Sequence, residues 1–165
     1  MSHHFEIKHA SISDVHLILS FIKELAEYEK LLHEVVATED ILKETLFGEN
    51  AHAEIIIGYL NGKPICFALF FHNFSTFLGR PGIYLEDLFV KPEARGKGIG
   101  QKMLGYLAQL AKERQCGRLE WWVLDWNETA IAFYKRLGAK AMDEWTVYRV
   151  TGEVLDNLAK SWSKN

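Results

Sequence analysis

Three glycines crowd the segment ARGKGIGQK, at the junction of an apolar run and an amphipathic run. Gly96, Gly98 and Gly100 occupy alternate positions there, although glycine disfavours a helix by about 1 kcal/mol relative to alanine. The first amides of a helix lack intrahelical acceptors and bind anions, and residues without side chains let a phosphate approach the backbone. The same turn carries three basic side chains, those of Arg95, Lys97 and Lys102. The segment therefore predicts a phosphate or pyrophosphate site.

Two common phosphate-binding motifs do not fit these glycines. The P-loop pattern GxxxxGK[ST] is absent from the sequence. The dinucleotide pattern GxGxxG requires a third glycine, and its position falls on Gln101 when counted from Gly96 and on Met103 when counted from Gly98. The predicted phosphate site therefore belongs to another class.

Two adjacent acids, Glu86 and Asp87, interrupt the apolar run GIYLEDLFV. Burying a carboxylate is unfavourable unless it is paired. Neighbouring residues of a strand point to opposite faces, so at most one of the two enters a given site unless a bulge intervenes. The residues alone leave two interpretations open: a structural ion pair or exposed strand end, and a site for a cation and its proton.

Composition limits the classes of partner and site. The chain has 165 residues and a formal net charge of −3, which predicts one domain over residues 1–165 and argues against nucleic acid as the main partner. Its two cysteines form no CxxC pair and its histidines no HExxH motif, so we expect reduced thiols and no metal site. No apolar run reaches the roughly 18 residues of a membrane span, so we expect no membrane partner and a cytoplasmic location.

The order of predicted elements is β-α-α-β-β-β-α-β-α-β, followed by a final helix. Asn61-Gly62 between two apolar runs predicts a tight hairpin, and Thr38 and Asn127 are predicted helix N-caps. The run EWTVYRV, at residues 144–150, predicts the last strand. Hairpin strands followed by βαβ units predict an α/β fold, with a mixed antiparallel and parallel central sheet flanked by helices on both faces.

The pattern Arg95-x-x-Gly98-x-Gly100, after the strand end LFV, resembles the coenzyme A pyrophosphate loop of the GNAT acetyltransferase superfamily. NETAIAFYKRLGA resembles a later helix of that fold, which starts with Asn and contains a Tyr. ELAEYEK, FGEN, YLEDLFV, VLDWNE and FYKRLGA resemble the diamine acetyltransferase branch, which includes spermidine/spermine and thialysine N-acetyltransferases. The resemblance covers about Phe5 to Val150 and implies the GNAT fold.

The resemblance implies acetyl-CoA as co-substrate, held by main-chain groups at the strand end and around the glycines. The implied acetyl-CoA residues are Leu88, Phe89, Val90, Arg95, Gly96, Lys97, Gly98, Ile99, Gly100, Gln101, Asn127 and Tyr134. It also implies that Tyr134 is the general acid beside the CoA sulfur, and that Glu86 binds the substrate amine and passes its proton through water.

Acids and aromatics matched to the family imply a site for a cationic chain. These implied substrate residues are Tyr28, Glu29, Glu86, Asp87, Glu120, Trp121, Trp122 and Glu144. A tryptophan face and a carboxylate together hold an ammonium well. We therefore predict an N-acetyltransferase for a diamine, a polyamine or a lysine-like amine, acting by direct attack in a ternary complex, and the resemblance implies a homodimer. Two alternatives stay open: a non-catalytic acetyl-CoA sensor, and an acetyltransferase for protein amines.

Overall fold

The computed structural model describes residues 3–162, which belong to two compact units, Met1–Trp122 and Val123–Asn165. The first unit contains β1 (Phe5–His9), α1 (Val15–Tyr28), α2 (Glu39–Phe47), β2 (Glu54–Leu60), β3 (Lys63–Ser75), β4 (Arg80–Val90), α3 (Ile99–Glu113) and β5 (Leu119–Trp121). The second unit contains α4 (Glu128–Arg136) and α5 (Gly152–Lys160). The single domain expected over residues 1–165 stays a prediction.

The five strands form one sheet in the order β1-β2-β3-β4-β5. The first three pairings are antiparallel and the pairing of β4 with β5 is parallel. The helix α3 connects β4 to β5 and packs on both strands, as a parallel crossover requires. The predicted mixed α/β sheet is therefore confirmed.

The helices α1 and α2 cover one face of the sheet because their apolar residues recur at helical spacing. The fully buried ring of Phe21 on α1 stacks on that of Phe67 on β3, with centroids 5.1 Å apart. Burying one such side chain stabilises the fold by about 2 kcal/mol. Phe89 near the end of β4 belongs to the same core cluster, so the strand that leads to the glycines is anchored beneath α1.

Local signals predicted the turns and caps correctly. Asn61 and Gly62 both adopt positive φ, +52° and +79°, in the hairpin between β2 and β3. The Thr38 hydroxyl accepts a 3.2 Å bond from the Ile41 amide at the start of α2. The Asn127 Oδ1 accepts a 3.2 Å bond from the Ala130 amide at the start of α4.

The predicted last strand is wrong: residues 145–150 form no regular structure. Their alternating pattern suits a strand, but a strand also needs a neighbouring backbone that offers hydrogen bonds. The described part of the second unit, residues 123–162, consists of two helices and irregular segments and contains no strand. The strand predicted over RLEWWVL is likewise shorter, because β5 ends at Trp121.

Both cysteines are free thiols, as expected. Cys66 on β3 is fully buried, and burial raises the pKa of its thiol to about 12. Cys116 after α3 is partly buried. Within residues 3–162, no helix combines the length and the apolar character needed to span a membrane.

Candidate functional site

The glycine loop, residues 95–101, joins β4 to α3. Gly96 and Gly98 have φ of +75° and +74°, in the left-handed region that side chains disfavour. A Cβ built on either would meet nothing within 4 Å, so backbone conformation requires these glycines while the space above them stays open. Gly100, by contrast, lies in the first turn of α3.

The start of α3 presents backbone amides to this open space. Gly98 is the N-cap, and its carbonyl accepts the helix bond from the Lys102 amide at 3.1 Å. The amides of Ile99, Gly100 and Gln101 precede that bond and have no acceptor within the helix. Together with the positive end of the dipole of this 15-residue helix, they form a site suited to an anion.

Arg95, one of the implied acetyl-CoA residues, makes three contacts beside the loop. Its Nε donates to the Val90 carbonyl at 2.9 Å. Its guanidinium carbon lies 4.8 Å from the centroid of the Tyr28 ring and 5.5 Å from that of the Phe89 ring. The side chain therefore connects the end of β4, the loop and the end of α1.

The strand β4 has one open edge just before the loop. The strand β5 pairs only with Ile83, Tyr84 and Leu85, so residues 86–90 have no strand partner on that side among the described residues of the first unit, 3–122. The peptide groups of Leu88, Phe89 and Val90, which the resemblance implies for acetyl-CoA, lie in this segment. An open edge of this kind binds extended chains that contain amides.

A β-bulge separates the two acids of β4. Leu69 of β3 faces Asp87 and the next residue, Phe70, faces Leu85, so Glu86 has no partner on β3. Cross-strand partners share a face, and Leu69 packs against the core beneath α1 and α2. Asp87 is therefore directed toward α1, whereas Glu86 is exposed.

Burial and like charges act together on Asp87. Burial and, to a smaller extent, the charges of Glu86 and Glu29 together raise the pKa of its carboxyl to about 7. Burial also raises the pKa of Glu29, which caps the C-terminal end of α1. Three predicted substrate residues, one from a helix and two from a strand, are thus electrostatically coupled.

Tyr84 is a polar group of the site that the sequence did not reveal. Burial raises the pKa of its hydroxyl, and so do the charges of Glu86, Glu120 and Asp87. The Trp122 ring meets the Tyr84 ring edge to face, 5.8 Å between centroids. The sequence places Tyr84 inside an apolar run, and its position two residues before Glu86 is the signal that could have revealed it.

The remaining substrate candidates of the first unit lie on or beside β5. Glu120 is directly opposite Tyr84 in the β4–β5 pairing, and Trp121 is opposite Leu85. The Arg118 Nη1 lies 3.5 Å from the Glu120 carboxylate and offsets part of its charge. The negative charge of Glu120 is therefore better compensated by a nearby cation than the charges of the two acids of β4.

Asn127, Tyr134 and Glu144 belong to the second unit, so their predicted roles stay predictions. Asn127 uses Oδ1 in the cap of α4, and its Nδ2 donors take no part in that bond. Tyr134 lies two turns further along α4, with its ring centroid 5.6 Å from that of Phe133. Glu144 lies in a later turn, at residues 143–144, between α4 and α5.

The described residues 3–162 hold no group of three or more His, Cys, Asp and Glu side chains that could bind a metal ion. What the first unit does offer is an anion site at the start of α3 and, on the preceding strand, a carboxylate cluster suited to a cation. An open strand edge joins the two.

Comparisons with known proteins find one family and several relatives over most of the chain. The model of the Acetyltransferase (GNAT) family matches residues 19–139. The chain is 38% identical to thialysine N-epsilon-acetyltransferase of Bos taurus over 164 residues, which cover 93% of this chain and 96% of that protein. It is 30% identical to L-ornithine N5-acetyltransferase of Arabidopsis thaliana, covering 93% of this chain and 87% of that protein.

Among solved structures, an integron cassette protein from the mobile metagenome of V. cholerae is similar throughout. It superposes with a TM-score of 0.79 at 34% sequence identity, covering 94% of this chain and 98% of that one.

Proposed function

Because the chain belongs to the Acetyltransferase (GNAT) family, we propose that it transfers the acetyl group of acetyl-CoA to a primary amine of a small cationic molecule. Family membership confirms the prediction of an N-acetyltransferase. The observation that carries the substrate proposal is the order of groups along one strand: β4 presents Glu86 and Asp87, then an open edge, then the glycine loop.

The residues present fit acetyl-CoA, which supplies the activated acetyl thioester. The amides of Ile99, Gly100 and Gln101 and the exposed Lys97 would receive the pyrophosphate, and Gly96 and Gly98 leave the approach clear. The peptide groups of residues 88–90 would pair with the amides of the pantetheine arm. Asn127 would contact the same arm through its Nδ2.

The carboxylates near the bulge suit a cationic substrate. The charges of Glu86 and Glu29 disfavour ionisation of Asp87, and an ammonium group relieves that repulsion. The rings of Tyr28, Trp121 and Trp122 would line the rest of the chain of the substrate, and Glu144 would contribute a further charge. Diamines, polyamines and lysine-like amines share this chemistry, and the names of the relatives include thialysine and ornithine.

An ammonium cannot attack a thioester, so the amine must first lose a proton. With a pKa near 10.4, removing it at neutral pH requires roughly 4 kcal/mol. Glu86 would bind the ammonium and pass its proton through water. Asp87, with a pKa of about 7, is an acceptor matched to neutral pH.

Tyr134 would donate a proton to the departing CoA thiolate. This role rests on the family resemblance and on the position of Tyr134 in a helix that Asn127 caps. The proton count closes as follows: the ammonium would lose one proton to a carboxylate before attack, and the nitrogen would lose a second as the C–N bond forms and the C–S bond breaks. That second proton would restore the phenol after Tyr134 has protonated the CoA thiolate, and the carboxylate would release its proton to solvent. The amine nitrogen attacks directly within a ternary complex, with no covalent enzyme intermediate. We also propose the homodimer and the cytoplasmic location expected from the sequence.

The test measures release of the CoA thiol from acetyl-CoA with spermidine, putrescine, lysine, thialysine and ornithine. We expect turnover with at least one of them. Butylamine, which lacks the second ammonium of putrescine, is the matched control and should react more slowly. CoA binding without turnover of any amine would instead indicate a sensor, and turnover of lysine-containing peptides alone would indicate a protein acetyltransferase.

A further inference from the structure

The segment that precedes the glycines contacts α1 at two points. The Lys91 Nζ lies 3.5 Å from the Glu24 carboxylate and 5.5 Å from the centroid of the Phe21 ring. Arg95 packs its guanidinium on the Tyr28 ring at 4.8 Å. Phe21, Glu24 and Tyr28 follow one another at spacings of three and four, so they form one face of α1. Two cations thus hold residues 91–95 on that face.

Arg95 is an exposed side chain, but three contacts restrain it. Its Nε is committed to the Val90 carbonyl, and the same guanidinium lies near two rings, those of Tyr28 and Phe89. A planar guanidinium can donate along its edge while its face packs on a ring, and an ammonium cannot. These contacts fix the residue directly before Gly96, where the chain turns into the left-handed conformation.

The ring that Arg95 packs on belongs to the amine side of the proposed site. Tyr28 is the last residue of α1, and Glu29, coupled electrostatically to Asp87, follows it directly. One side chain thus spans from the phosphate-binding loop to the helix end that carries a substrate carboxylate.

We propose that Arg95 is a positioning residue that couples the glycine loop to the amine-binding end of α1 through Tyr28. The inference rests on the proposed function of the loop and of the carboxylates. It implies that Tyr28 supports acetyl-CoA affinity without touching the cofactor, and that each substrate strengthens binding of the other by the same factor. If Arg95 instead contacts the pyrophosphate directly, Tyr28 has no part in cofactor binding.

A double-mutant cycle separates these two roles. CoA affinity is measured by calorimetry for Arg95→Leu, Tyr28→Leu and the double variant. We expect each single change to weaken binding about threefold to fivefold, the effect of an exposed cation–π contact, and the double variant to be no weaker than Arg95→Leu. Unchanged affinity in Tyr28→Leu, or multiplied losses in the double variant, would overturn the proposal.

Two matched variants complete the cycle. Tyr28→Phe keeps the ring and should restore CoA affinity to within twofold of the wild type. Lys23→Gln removes an exposed positive charge from α1 away from these contacts and should leave CoA affinity unchanged. Equal losses in Tyr28→Phe and Tyr28→Leu would show that the ring is not the coupling element.

Hydrogen exchange of the ligand-free protein tests the Arg95–Tyr28 link between the loop and α1 without relying on the proposed acetyl-CoA binding. We expect the Arg95 and Lys102 amides, which flank the loop and donate to the Pro92 and Gly98 carbonyls, to exchange about threefold to fivefold faster in Tyr28→Leu than in the wild type or in Tyr28→Phe, because the loop loses its support. Unchanged exchange would overturn the link whatever the protein binds. Faster exchange in a protein that binds no CoA would overturn the proposed function while leaving the contact established.

Discussion

The glycine loop and the acid pair of β4 lie close together along the chain but are built in opposite ways. The loop offers backbone amides, and its defining residues, Gly96 and Gly98, contribute conformation and no side chain. The acid pair offers side chains, and a bulge at Glu86 decides where they point. The glycine loop thus depends on a backbone conformation that only glycine adopts without strain. The acid pair depends on the register of β4 against β3.

This difference predicts different responses to substitution. A left-handed glycine tolerates no other residue without strain, even where space is open. A carboxylate exchanged for its amide keeps the shape of the strand and changes only charge and proton affinity. Changes in the loop should therefore act on cofactor affinity, and changes in the acid pair on turnover and its pH dependence.

The largest effect is expected for Gly98→Glu. The strained φ and the repulsion between a carboxylate and a pyrophosphate should together weaken CoA binding about 100-fold. Gly62→Glu is the matched control, because Gly62 has nearly the same φ, +79° against +74°, and lies in the β2–β3 hairpin. Titration calorimetry measures both variants. Equal losses of affinity would mean that strain acts on the whole fold and that the loop is not the phosphate site.

A smaller effect is expected for Asp87→Asn. Removing the proton acceptor should lower kcat/KM for the amine about thirtyfold and change CoA affinity less than twofold. In the wild type, kcat/KM should rise with pH through the pKa of about 7. This rise, the acidic limb of the pH profile, should be absent from Asp87→Asn. Asp40→Asn on α2 is the control for loss of an exposed aspartate. A pH profile that survives in Asp87→Asn would assign the limb to another group, with Glu86→Gln as the next variant to measure.

The last expected effect is on stability and involves no ligand. The pKa of Asp87 is raised on folding, so the folded protein keeps a proton that the unfolded chain has released. The free energy of unfolding should therefore fall as pH rises from about 4 to about 7, by about 3 kcal/mol at 1.36 kcal/mol per pKa unit. Urea unfolding at pH 4, 5.5 and 7 measures this slope. Asp87→Asn should flatten it, and an identical slope in the variant would contradict the raised pKa.

Features set by local geometry were predictable from the sequence. The glycine spacing, the Asn61-Gly62 hairpin and the caps Thr38 and Asn127 each depend on a few neighbouring residues, and the hairpin and both caps form as predicted. The mixed sheet followed from the order of the elements.

Features set by pairing between distant segments were not predictable. The bulge at Glu86 arises from the register of β4 on β3, and alternation alone left the direction of both acids open. The contact of Arg95 with Tyr28 needs α1 and the loop to meet, and no local pattern encodes that. The expected strand at residues 144–150 failed for the same reason, because a suitable pattern supplies no partner.

The buried thiol of Cys66 has a practical consequence for every variant proposed above. Thiolates react with disulfide reagents and thiols do not, so a pKa of about 12 and full burial keep Cys66 silent in the folded protein. With two cysteines in the chain, the background in a colorimetric assay for free CoA comes from Cys116. Before acetyl-CoA is added, a second protein equivalent of colour would report unfolding, so this blank reading distinguishes a slow enzyme from a damaged one.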